Sequence, residues 1–182
     1  MGKSLPEEMH GGGVRPVAVA QGDRERWADR YFERQVGAEC GQHALNNVVG
    51  GPQYLREDLE RAARQVVETT GEREEEHRRR GGWYSHSVLG TVLSNTDPAP
   101  WKLLFNRLRE TDHRAVMANE LICGALVNQN NYHWIALVKH NGLLWHVDSE
   151  HSPTPMDEEA FKACLRSYPD TFAVARRERR GD

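Results

Sequence analysis

The chain has 182 residues, 38% hydrophobic and 28% charged, which suits one globular domain with a tail and excludes collagen, coiled coil and disulfide scaffold. Lys plus Arg number 24 against 27 Asp plus Glu, a net charge of −3, so no chain-wide positive field exists to hold nucleic acid or an anionic membrane. The longest apolar stretch, Leu121 to Val127, is far shorter than the ~20 residues that span a bilayer, and the odd count of three cysteines argues against a disulfide framework and for a reducing, cytoplasmic setting.

In chain order, residues 1–26 hold Gly11-Gly12-Gly13 and scattered charges without periodicity, and read as a flexible leader. No apolar core follows a basic start there, so no secretory signal is expected. The folded domain is expected over residues 27–177, with a basic tail at 178–182. Trp27, Tyr31 and Phe32 recur at helical spacing, and Leu45, Val48 and Val49 put an apolar face on a helix from about Cys40 to Val49, ended by Gly50-Gly51. Pro52 sits near the start of a second helix whose stripe is Leu55, Leu59, Ala62, Ala63, Val66 and Val67. Glu72 to Arg80 has no apolar residue and is expected to be exposed. Ser85 caps a third helix, striped by Val88, Leu89, Val92 and Leu93, that ends before Asp97-Pro98. Strands follow near Trp101–Phe105, Glu120–Val127, Trp134–His140, Leu143–Ser149 and Thr171–Ala175, with a capped helix from about Asp157 to Ser167 before the last. Helices first and an antiparallel sheet afterwards make an α+β domain.

Asn141-Gly142 between two apolar runs is a strong signal for a two-residue type I′ hairpin. With His140 facing Leu143, Asp148 falls opposite Ile135 and His133 opposite Glu150. His133 and Asp148 become diagonal neighbours, their Cβ atoms ~7 Å apart or less, close enough for an imidazole and a carboxylate to meet. Water-facing strand-end polarity is the bland alternative. His146 also lies on that side and competes for Asp148, or is simply a hydrogen-bonded histidine beside the core.

Cys40 opens a predicted helix, where unpaired amides and the helix dipole favour a thiolate. Gly41 leaves room for a substrate carbonyl, and Gln35, five positions earlier, can donate to an oxyanion alongside the Cys40 N–H. Cys123 and Cys164 sit among apolar residues and read as buried and inert. Cys40 and His43, three apart, form half of a zinc site if completed by His133 and Asp148, but no second pair has metal spacing; His43 reads instead as packing beneath the cysteine, and no metal or cofactor is expected.

The block Gln35-Val36-Gly37-Ala38-Glu39-Cys40-Gly41-Gln42-His43-Ala44-Leu45-Asn46-Asn47 resembles the nucleophile motif of the Josephin family of papain-like cysteine proteases, which hydrolyse ubiquitin conjugates. His133-Trp134, with Asp148-Ser149 fifteen residues later, resembles the family's second motif, and Gly82-Trp83-Tyr84-Ser85 its junction before the third long helix. The resemblance implies a papain-like fold, Cys40 as nucleophile, His133 as general base and acid, Asp148 as orienter and Gln35 with Cys40 N–H as oxyanion donors. It also implies a monomeric deubiquitinase acting on ubiquitin or polyubiquitin conjugates in the cytoplasm, the nucleus or a host cytosol. Trp83, Tyr84 and Trp134, taken as exposed, are candidates to line the groove for an extended, Gly-ended tail, with core packing the alternative for each. A ubiquitin-binding adaptor without useful turnover, and a glutamine deamidase or transferase using the same three residues, are the rival functions.

Overall fold

The computed structural model describes residues 22, 27, 30–96 and 100–178. Apart from Gly22, the expected leader lies outside the described residues, as does most of the basic tail. Trp27 is helical, but the helical spacing does not carry through to Tyr31 and Phe32: residues 31–36 have no regular structure. Asn47 explains why, because its side chain accepts from the Glu33 N–H at 2.6 Å and donates to the Glu33 carbonyl at 3.1 Å, taking the backbone groups a helix would need.

Helix α1 (Cys40–Val49) ends where Gly50 turns left-handed at φ 83° and returns its N–H to the Asn46 carbonyl. Helix α2 (Arg56–Thr70) starts four residues beyond Pro52, where the Asp58 carboxylate accepts the Leu55 N–H at 2.9 Å. Its buried face is Leu59, Ala62, Ala63 and Val66, while Leu55, counted in the apolar stripe, is exposed. The charged segment that follows is more structured than its composition indicates. It forms a one-turn helix α3 (Glu74–His77) and strand β1 (Arg78–Arg79), paired with β2 (Trp83–Tyr84). His77 within it is buried, its ring bonded to Ser85 Oγ at 2.9 Å and Glu72 Oε2 at 2.8 Å. Ser85 caps α4 (His86–Asn95), whose buried Val88, Leu89, Val92 and Leu93 are the expected stripe.

The sheet has the order β3-β8-β4-β5-β6-β7, all neighbours antiparallel. Its strands are β3 (Trp101–Arg107), β4 (Ile122–Gln129), β5 (His133–His140), β6 (Leu143–Val147), β7 (Thr154–Met156) and β8 (Thr171–Arg176). A 3₁₀ turn (Glu110–Asp112), a short helix α5 (His113–Ala118) and the edge strand β7 escape the sequence reading; the first two are too short for periodicity, and β7 holds Pro155, which only an edge position tolerates. Helix α6 (Glu158–Ser167) is capped by Asp157, whose carboxylate accepts from Ala160 N–H at 2.8 Å.

Strand β5 divides the core by alternation. Trp134, Ala136 and Val138 join Leu45, Val48, Leu59 and Leu89 of the helical layer, while Ile135 and Leu137 meet Phe161 and Leu165 of α6 on the other side. Each fully buried side chain of this size contributes roughly 1.5–3 kcal/mol through removal from water. The helical layer and the opposite α6 sandwich an antiparallel sheet, the α+β architecture expected from sequence. Helix α1 packs directly on β5 and β4, which brings its N-terminal residue to the end of the sheet where β5 begins.

Candidate active site

Cys40 is the first residue of α1, so its amide has no partner within the helix. The preceding turn, with Gly37 at φ 72°, delivers Glu39 as N-cap without a side-chain cap, leaving the helix end to its backbone groups. Cys40 is 2% exposed, and the carbonyl of Gly82 lies 3.8 Å from Sγ. Gly82 crosses the cleft so closely that a Cβ there would stand 1.6 Å from the Ala38 carbonyl oxygen; its φ of 70° likewise suits glycine. The two walls of the cleft therefore touch over the sulfur.

The Asn141-Gly142 turn has φ values of 50° and 74°, the two positive angles of a type I′ turn, and sets His140 opposite Leu143. Ladder pairing stops at Ala136 and Val147, so Asp148 stands just past the strand end and Glu150 lies in a turn rather than opposite His133. His133 Nε2 donates to Asp148 Oδ1 at 3.0 Å, which leaves Nδ1 as the ring nitrogen that can serve Cys40, whose side chain acts on the imidazole electrostatically. The bond to Asp148, followed by the influence of Cys40, outweighs burial and pushes the imidazole up to about 10. Burial alone would raise the Asp148 carboxyl, but bonds from His133, from the Glu150 N–H at 3.0 Å and from His151 at 3.4 Å hold it at about 2. His151 is thus the second imidazole on Asp148. His146, the competitor anticipated from register, is instead lowered by its burial, and the sequence carried no signal for His151, which sits in the turn beyond β6.

Gln35 lies on the loop leading into α1 and is tied to the residue after Asp148. Its N–H donates to the Ser149 carbonyl at 2.8 Å and its Oε1 accepts from the Ser149 hydroxyl at 2.9 Å. Nε2 spends one hydrogen on the Gly37 carbonyl at 2.7 Å, which fixes the amide's orientation and leaves one hydrogen over. Gln35 is in this way hydrogen-bonded to Ser149, the chain neighbour of Asp148.

His43 is not turned toward Cys40. Its Nδ1 bonds Glu33 Oε1 and its Nε2 accepts from Val36 N–H at 3.4 Å, so the half zinc site of Cys40 with His43 does not form. The three aromatics taken as exposed are buried, Trp83 at 5%, Tyr84 at 2% and Trp134 at 0%. Trp134 Nε1 donates to the Tyr84 carbonyl at 2.7 Å, fastening β5 to the β1–β2 hairpin, and Arg79 covers the Trp83 ring at 4.4 Å. These contacts are core packing, the alternative reading; Tyr84 alone of the three lines the cleft. That cleft, about 990 Å³, runs between Val36–Glu39 and Glu74–Gly82 and is walled by charged side chains. Cys164 is buried and pushed up to about 11 by that burial; Cys123 is only partly buried by surface area, and desolvation pushes it up to about 12.

A helix-borne cysteine set against a sheet-borne histidine on an α+β scaffold is the architecture of papain-like cysteine proteases. Within that class the chain belongs to the Josephin family, whose profile it matches over residues 35–171. Among solved structures it is similar, at 15% identity and a TM-score of 0.48 with 82% of this chain and 91% of that chain covered, to a double glycine motif protease from an AMS/PCAT transporter, crystallised in complex with the leader peptide. Among curated proteins none matches the chain. No helix among the described residues is long and apolar enough to cross a membrane.

Proposed function

We propose that this protein is a deubiquitinase that hydrolyses the isopeptide or ester bond at the ubiquitin C-terminus, with Cys40 as nucleophile, His133 as acid and base, and Asp148 as orienter. The observation that carries the reading is the 3.0 Å bond of His133 to Asp148, which raises the imidazole to about 10, together with Cys40 at the first position of α1. Family membership supports the substrate. The Cys40 thiolate attacks the carbonyl carbon of the terminal glycine, forming the C–S bond and an oxyanion that accepts from the Cys40 N–H and Gln35 Nε2. As the C–N bond breaks, His133 gives its Nδ1 proton to the leaving amine. The neutral ring then takes a proton from water, the resulting hydroxide attacks the thioester, and collapse releases the ubiquitin carboxylate and the thiolate. Asp148 holds the ring and stabilises its cation throughout. Because Gly82 closes over the sulfur, the incoming tail has to displace that segment.

The closure is also the one observation that favours the rival adaptor without turnover. A ubiquitin probe with an electrophilic C-terminus separates the two: wild type is expected to form a covalent adduct, Cys40→Ala none and His133→Ala little. Absence of labelling in wild type alongside measurable ubiquitin binding selects the adaptor. Gln35→Ala is expected to lose ~10²–10³ in turnover of a fluorogenic ubiquitin conjugate while remaining folded.

A further inference from the structure

The nucleophile motif contains three buried polar residues that this chemistry does not use, His43, Asn46 and Asn47, all on α1. All three converge on Glu33, two positions before Gln35. The Glu33 carboxylate receives His43 Nδ1 on Oε1, and on Oε2 the Asn46 side-chain amide at 2.9 Å and the Tyr31 hydroxyl at 2.5 Å. Asn47 grips the Glu33 backbone at both its N–H and its carbonyl. On the other flank of Gln35, the Val36 N–H donates to His43 Nε2, which places the His43 proton on Nδ1, facing Glu33. The residue proposed to hold the oxyanion is therefore pinned on both sides to the helix that carries the sulfur, by one carboxylate and one imidazole that never reach substrate. A loop otherwise lacking regular structure needs such ties, since a ~1 Å misplacement of a catalytic group costs up to about 10² in rate.

We infer that Glu33 and His43 are positioning residues that set Gln35 for oxyanion stabilisation, an inference resting on the cysteine-protease reading above. The test compares wild type with Glu33→Gln and His43→Asn in four measurements: turnover of a fluorogenic ubiquitin conjugate, alkylation of Cys40 by iodoacetamide, inhibition by a peptide aldehyde ending in glycinal, and thermal midpoint. Turnover is expected to fall about 10- to 10²-fold through kcat rather than KM. The aldehyde Ki is expected to rise by a similar factor, because its hemithioacetal oxygen uses the same donors. Alkylation, which forms no oxyanion, is expected to keep its wild-type rate, and adding Gln35→Ala to either variant should cause little further loss. Alkylation falling in step with kcat, an unchanged aldehyde Ki, or full additivity with Gln35→Ala overturns the inference. If neither variant shows a cooperative thermal transition, Tyr31→Phe, which removes one contact to the same carboxylate, is put through the same measurements, and its expected few-fold losses must show the same contrast between aldehyde and alkylation. Should Gln35→Ala itself leave turnover intact, the oxyanion role of Gln35 fails; a loss at Gln35 with none at Glu33 or His43 sinks this inference alone.

Discussion

Asp148 accepts from three donors, and two of them are imidazoles of very different exposure: the side chain of His133 is 14% exposed and that of His151 74%. The buried contact governs the proton on His133. Removing the carboxylate with Asp148→Ala takes away the leading cause of the raised imidazole, so the alkaline limb of kcat/KM is expected to move from about pH 10 toward the ordinary histidine range near ~6.5. The same pair also links stability to pH. His133, raised on folding, stabilises the fold fully below its unfolded value near ~6.5, and that contribution fades as pH rises toward about 10. Asp148, depressed to about 2, contributes fully above its unfolded value near ~3.9 and loses this as pH falls. The thermal midpoint of wild type should therefore exceed that of Asp148→Ala by most between pH ~4 and ~6.5, and the gap should narrow on either side. An equal gap at every pH would show that the loss is packing rather than charge.

Helix α1 packs on β5 and β4, and Gly124 of β4 leaves room there for Val48 of the helix. A Cβ at Gly124 would stand 2.0 Å from the Leu137 carbonyl oxygen and 2.9 Å from Val48 Cγ2. Gly124→Ala is expected to cost about 1–3 kcal/mol in urea unfolding and to reduce turnover as well, since lifting α1 carries Cys40 away from His133. Gly142 offers the contrast. Its added Cβ would meet nothing within 4 Å, so Gly142→Ala suffers only the strain of φ 74°, about 1 kcal/mol. That substitution tests the register of β5 on β6, and a loss of turnover beyond its loss of folded protein would show that the turn also sets the His133–Asp148 geometry. Edge strand β7 and helix α5 illustrate what periodicity misses: elements of three and six residues exist because neighbours hold them, not because their own pattern demands it.

Across the molecule, the charged segment emerges as one wall of the cleft. Arg79 Nη1 donates to the Asn131 carbonyl at 2.9 Å, tying the β1–β2 hairpin to the turn that precedes His133, close to where Gly82 covers Cys40. Arg79→Ala, which removes this tie and the guanidinium over Trp83, is expected to speed alkylation of Cys40 by iodoacetamide several-fold while costing about 1–2 kcal/mol of stability, too little to unfold the protein. An unchanged alkylation rate would mean that access is set by Gly82 alone. None of this closure was visible beforehand, since Glu72 to Arg80 reads as solvent-loving, yet it buries His77 and stacks an arginine on a buried tryptophan. The sequence by itself determined the α+β class, the helix that begins at Cys40, the type I′ turn and the register that makes Asp148 a neighbour of His133, because these follow from local backbone preferences and the two periodicities of secondary structure. Only the tertiary structure decided that Trp83, Tyr84 and Trp134 are core, that His43 serves Glu33 rather than Cys40, and that a glycine carbonyl lies over the nucleophile, because burial and contact depend on which distant segments pack together.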